Sequence, residues 1–199
     1  MPLPPNELVA LLVAVCFAAG LNVYATVVTL GLLAHTRWLE LPPSLHALTN
    51  WWIIAAALVL FAIELFADKI PAFDLIWNAL HTFIRVPVAA LLAWQATSSL
   101  SPREQLMATL AGGLIAFIAH GGKTAVRAAV TPSPEPVSNI LLSAGEDVLA
   151  IFLTWFATWK PYAAAAIAAV LVLITLLLIR WVLRALKALF RHAERAFSS

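Results

Sequence analysis

Charge is what this sequence has least of. Only 11% of its 199 residues are Asp, Glu, Lys or Arg, less than half of the roughly 25% found in an ordinary soluble domain. Hydrophobic residues make up 63% and the mean hydropathy is +0.94. A chain this short has too little interior to hide so much apolar side chain from water, so a soluble enzyme is excluded and lipid must supply the solvent. Cysteine is almost absent: the single Cys16 lies in an apolar run, which excludes an intrachain disulfide and reads as a small buried hydrophobe. No two histidines stand three or four residues apart, so the spacing of helical metal ligands is missing and neither a metal nor another cofactor is expected. Gly122-Lys123-Thr124 ends like a phosphate-binding loop, but Phe117 occupies the place of its first glycine and no soluble strand precedes it. A serine nucleophile motif is also lacking, so the reading leans away from an enzyme. Ahead of Leu8 there is no positive region of the kind a cleavable leader needs, and the first apolar run is expected to remain in the protein.

What the sequence does contain is apolar runs near the 20 residues a helix needs to cross a bilayer. Six are read, at 8–34, 51–67, 75–94, 106–130, 137–159 and 162–179, giving an all-α polytopic transmembrane bundle in a single domain over 1–179. Six crossings put both termini on one side. Arg180, Arg184, Lys187, Arg191 and Arg195 make that side cytoplasmic for a multi-pass protein. Residues 180–199 are expected to continue the last helix as a basic amphipathic segment on anionic lipid, not on nucleic acid. Trp38, Trp51, Trp52, Trp94, Trp155 and Trp159 all fall at run ends on the opposite face, where indole rings settle among headgroups. Glycine interruptions at Gly20 and at Gly121-Gly122 suggest broken helices in two halves, 8–98 and 106–179. Three crossings in each half would make them inverted repeats, the plan of many secondary transporters. An alanine-rich face at 163–169 suits close helix packing, within one chain or in a homo-oligomer.

Ionisable residues inside or at the ends of these runs carry the functional signal: Glu64, Asp68, Lys69, Asp74, Arg85, Lys123, Arg127, Glu146 and Asp147. At about 3 kcal/mol each on an insertion scale, turning all of them to lipid is prohibitive. Their spacing gives them another place to go. Asp74, Asn78, His81 and Arg85 recur at four, three and four, which makes one stripe of the third helix. His120, Lys123, Thr124 and Arg127 form a stripe on the fourth, Asn139, Ser143, Glu146 and Asp147 on the fifth, Glu64 and Asp68 on the second, and Asn22, Thr26 and Thr29 on the first. The economical packing turns these stripes inward, where carboxylates and cations pair. Capping by Asp74, interfacial placement of Asp68 and Lys69, and snorkelling of Arg127 are duller explanations of those four positions.

At the same residues the chain resembles a family of small bacterial integral-membrane proteins catalogued only as a domain of unknown function. The resemblance rests on Gly20-Leu-Asn-Val-Tyr24, on the run from Asp68-Lys-Ile-Pro to Arg85, on His120-Gly-Gly-Lys-Thr-Ala-Val-Arg127, and on Ser133-Pro-Glu-Pro-Val-Ser-Asn139 followed by Glu146-Asp147. It implies weight for the polar residues and supplies no reaction. Asn78 stands where an acidic residue is expected beside the tryptophan, and an amide carries no proton.

Taken together, these residues point to a small transporter or flippase-like carrier for an anionic solute or lipid headgroup, with proton coupling as a further option. Asn22, His81, Arg85, His120, Lys123 and Arg127 are the expected substrate-binding set. Glu64, Asp68, Lys69, Asp74, Glu146 and Asp147 are the expected charge network, any proton riding on one of its carboxylates. Two other readings stay open. In one, a membrane-embedded enzyme or binding protein acts on a phosphate headgroup with His81 or His120 as acid or base. In the other, a non-catalytic assembly protein uses its polar residues to fix helix register.

Overall fold

The computed structural model describes residues 4–67, 71–130 and 136–197, and among them the regular elements are all helical. They are α1 (Pro5–Leu21), α2 (Val23–His35), a short 3-10 helix (Pro43–Thr49), α3 (Trp51–Ala67), α4 (Pro71–Ala96), α5 (Pro102–Val130), α6 (Pro136–Trp159) and α7 (Pro161–Phe197). Proline opens α1, α4, α5, α6 and α7, where its fixed φ suits the first turn and its missing N–H is no loss. Pro87, inside α4, denies the Phe83 carbonyl its partner, yet α4 runs through it.

Four helices, α4 to α7, are long and apolar enough to cross a membrane, and α3 with the 3-10 helix, bent 63° at Asn50, brings the number to five. The chain is therefore a multi-pass membrane protein, and its first apolar run is built differently from a single crossing. Asn22, extended at φ −149° and ψ 103°, ends α1 and begins α2. The two helices lie side by side: Leu30 of α2 shares a pocket with Leu8, Leu11, Leu12 and Val15 of α1. Both outer ends meet the same end of the bundle. Asn6 bonds the Tyr162 hydroxyl at the start of α7, while Leu33 and Trp38 line a pocket with Trp155 and Trp159 at the end of α6. α1 and α2 thus form a re-entrant hairpin with its turn at Asn22. Arg37, in the left-handed region at φ 61°, closes α2, with its N–H and that of Trp38 reaching back to Ala34 and Leu33.

This hairpin changes the expected topology. α7 runs alongside α5, with Thr175 against Gly122 and Ile179 against Gly121, so its basic end lies far from the N-terminus. The start of α1 and the end of α7 sit at opposite ends of the bundle, in place of the shared side that six crossings required. The second expected break is also absent: α5 is continuous through Gly121 and Gly122. The glycine break by which the halves 8–98 and 106–179 were matched is therefore present in the first half alone, among the described residues. The glycines serve packing instead. A Cβ on Gly122 would collide with Thr175 Cγ2, and one on Gly20 would stand 2.5 Å from the Ala116 carbonyl of α5. Ala164 and Ala168 are fully buried in the core shared with α1, which uses that part of the alanine face within the chain.

Helical rise sets the depth of the polar residues. At 1.5 Å per residue, Glu64 lies about 20 Å along α3 from Trp51, and Glu146 about 20 Å along α6 from Trp159. Asn22 is about 21 Å from Leu8 by the same measure. The hairpin turn and the buried charges therefore share one level, about two-thirds of the way across a hydrocarbon core about 30 Å thick.

Candidate functional site: a buried chain of charges

The inward stripes meet at this level. Glu64 is delivered by α3, Arg85 by α4, Lys123 and Arg127 by α5, and Glu146 by α6. Arg85 Nη2 donates to Glu64 Oε1, and Lys123 Nζ approaches the same oxygen at 3.4 Å. Lys123 Nζ also lies 3.2 Å from Glu146 Oε2, on which Arg127 Nη2 converges at 2.9 Å. The result, among the described residues, is one alternating row, Arg85, Glu64, Lys123, Glu146, Arg127. Glu64, Arg85 and Arg127 are fully buried, and Glu146 retains 14% of its side-chain exposure. Such a row is a poor source of stability compared with apolar packing, because each ion gives up water on entering the interior.

Around the row the hydrogen bonds fix two imidazoles. Arg85 Nη1 has only hydrogens to offer, so at 2.9 Å it donates to His120 Nδ1 and makes that nitrogen an acceptor. The proton of His120 then sits on Nε2, which faces the Asn78 carbonyl at 3.0 Å and the Thr82 hydroxyl at 2.8 Å. His81 is set the opposite way round. Its Nδ1 donates to the Trp77 carbonyl at 2.7 Å, and its Nε2 pairs with the Tyr24 hydroxyl at 3.0 Å. The Trp77 ring lies 4.3 Å from the His81 ring, centroid to centroid. The bond from Arg85 makes His120 neutral, and both rings are held in orientation.

The hairpin turn is wired to the row. Asn22 is fully buried; its Oδ1 accepts the Ala25 N–H at 2.9 Å as the cap of α2, and its Nδ2 donates to Asp147 Oδ1 at 2.8 Å. Asp147 is the neighbour of Glu146, so α1, α2, α6 and the charges are mechanically joined here. Thr26 adds a bond from its hydroxyl to the Asn22 carbonyl.

Of the residues expected from the sequence, Asn22, Glu64, His81, Arg85, His120, Lys123, Arg127, Glu146 and Asp147 come together. Asp68 and Lys69 lie outside the described residues, as does the side chain of Asp74. Tyr24 and Thr82 escaped the pattern of stripes; each acts by reaching a histidine on another helix. Tyr24 stood in the sequence only as the last residue of Gly20-Leu-Asn-Val-Tyr24. His35 and His46 are exposed near the 3-10 helix and take no part.

No curated protein and no solved structure matches the chain. A family does match, over residues 9–181, and those bounds take in the hairpin, the charge row and all of the helices that meet there. The chain belongs to that family, the domain of unknown function DUF4126.

Proposed function

We propose that this protein is a small membrane carrier for an anionic solute or an anionic lipid headgroup. The observation that carries the reading is the buried alternating row of cations and carboxylates, placed within the bundle beside a re-entrant turn. An oxyanion entering this level would find charge-assisted donors in Arg85, Lys123 and Arg127. Glu146, the partly exposed carboxylate, is the residue at which proton coupling would act: its neutralisation would remove the contact that Lys123 and Arg127 share. The basic end of α7 would lie in the cytoplasm and the tryptophan-rich end outside, in a bacterial inner membrane.

Both histidines have their ring nitrogens engaged, which favours a carrier over a headgroup enzyme needing a free general base. An assembly protein that used the row only for helix register would also keep these ion pairs, and flux separates the two. Proteoliposomes containing the wild type should take up labelled phosphate or an organic phosphate faster than empty liposomes, more so under an inward proton gradient. Lys123→Met should bring uptake to the empty-liposome level. Equal uptake in all three preparations would overturn the carrier reading.

A further inference from the structure

Glu64 differs from the other members of the row in how it reaches the site. It comes from α3, whose surface is largely exposed: Trp51, Trp52, Ile53, Leu58, Val59, Leu60, Ile63 and Phe66 all lie open to the surroundings. Beyond Ala57, only Glu64 and Ala67 of that helix are buried. A carboxylate is thus inserted, from a helix with little else holding its lower half, between two cations on α4 and α5. The fit is also incomplete. Arg85 Nη2 and Lys123 Nζ both spend themselves on Oε1, while Glu64 Oε2 and Arg85 Nε are buried without a hydrogen bond among the described residues. Nη2 and Nε form one edge of the guanidinium, the edge that binds two oxygens of an oxyanion side by side. His120 already holds the other arm of the guanidinium through Nη1, so that edge is fixed in direction.

We propose that Glu64 occupies the seat of the cargo, and that a phosphate-type oxyanion displaces it, taking two oxygens to the Arg85 edge and a third to Lys123. The inference rests on the carrier reading and adds to it an internal competitor: the carboxylate on α3 keeps the seat filled until cargo arrives. Three donors in this arrangement match the three oxygens of a phosphate or phosphomonoester better than the two of a carboxylate. Free phosphate and a phosphate headgroup present the same chemistry.

The test is a titration of purified wild type and Glu64→Gln with inorganic phosphate, against chloride at equal ionic strength, read by calorimetry and by thermal shift. A parallel arm uses nanodiscs with and without phosphatidic acid. The amide no longer competes for the cations, so Glu64→Gln should bind phosphate at least about tenfold more tightly than the wild type, and phosphate should raise its midpoint more. A gain seen only with phosphatidic acid supports the seat and makes the cargo a headgroup. Equal phosphate affinity in both proteins overturns the displacement and leaves the carrier reading standing. An equal response to chloride and phosphate overturns the oxyanion seat, and absence of binding in every arm overturns the carrier reading with it. Should Glu64→Gln fail to fold, Glu64→Asp makes the same comparison. Its shorter carboxylate competes less, so a smaller gain supports the seat and an unchanged affinity overturns it.

Discussion

Removing the middle cation of the row should be far milder than removing either carboxylate. Lys123 makes contacts of 3.4 Å with Glu64 and 3.2 Å with Glu146, each about 5 kcal/mol gross at an effective dielectric of about 20. Against that gross loss stand the several kcal/mol of desolvation that a buried ammonium no longer incurs. Of the row, Lys123→Met leaves two Arg–Glu pairs, Arg85 with Glu64 and Arg127 with Glu146. A net loss of about 2 kcal/mol is expected, since both glutamates keep an arginine. Glu146→Gln has the opposite balance. It removes contacts of 3.2 and 2.9 Å, recovers less desolvation because Glu146 is partly exposed, and takes from Lys123 and Arg127 the carboxylate they share. Breaking a buried pair from one side in this way costs about 3–5 kcal/mol. Scanning fluorimetry on the tryptophans, in one detergent, compares the unfolding midpoints. For a chain of this size the difference between the variants should be on the order of 5 °C, with Glu146→Gln the lower. A Lys123→Met midpoint at or below that of Glu146→Gln would refute the alternating row.

Two further perturbations address the fold. Gly20→Ala should destabilise by about 1–3 kcal/mol, since its Cβ meets backbone of α5 that cannot step aside, whereas Gly145→Ala, with nothing within 4 Å, should be neutral or stabilising; equal midpoints would argue against the close α1–α5 approach. Cys16 is fully buried and should stay silent to impermeant thiol reagents, so Pro4→Cys and Lys187→Cys can be labelled one at a time in oriented vesicles. The re-entrant hairpin requires labelling from opposite faces, and labelling from one face would contradict it.

Much of the interior was legible in the residues. Spacing of three and four on α4, α5 and α6 told which polar groups share a face, and the cost of exposing them to lipid told which way that face turns. The run 51–67 became α3 with the same bounds. Hydrophobic length, by contrast, cannot distinguish one crossing from two shorter helices folded back on each other, and the 8–34 run hid a reversal at Asn22. An amide amid apolar residues is a capping residue as readily as a site residue, and Asn22 is both. Glycine was ambiguous for a similar reason. Gly121-Gly122 could open a helix or let another helix approach, and the proximity of Thr175, more than fifty positions away, decided for packing. The Tyr24–His81 bond has no periodic signature, because it joins two elements whose relation exists only after folding.

The most direct test of an anion-holding interior is mass spectrometry of what copurifies with the mildly solubilised protein, comparing the wild type with folded Lys123→Met. If the row holds an anion, the wild type retains one phosphate-bearing solute or lipid that the variant loses. If both proteins carry the same ligand profile, the cations hold no exogenous anion, and the central claim fails.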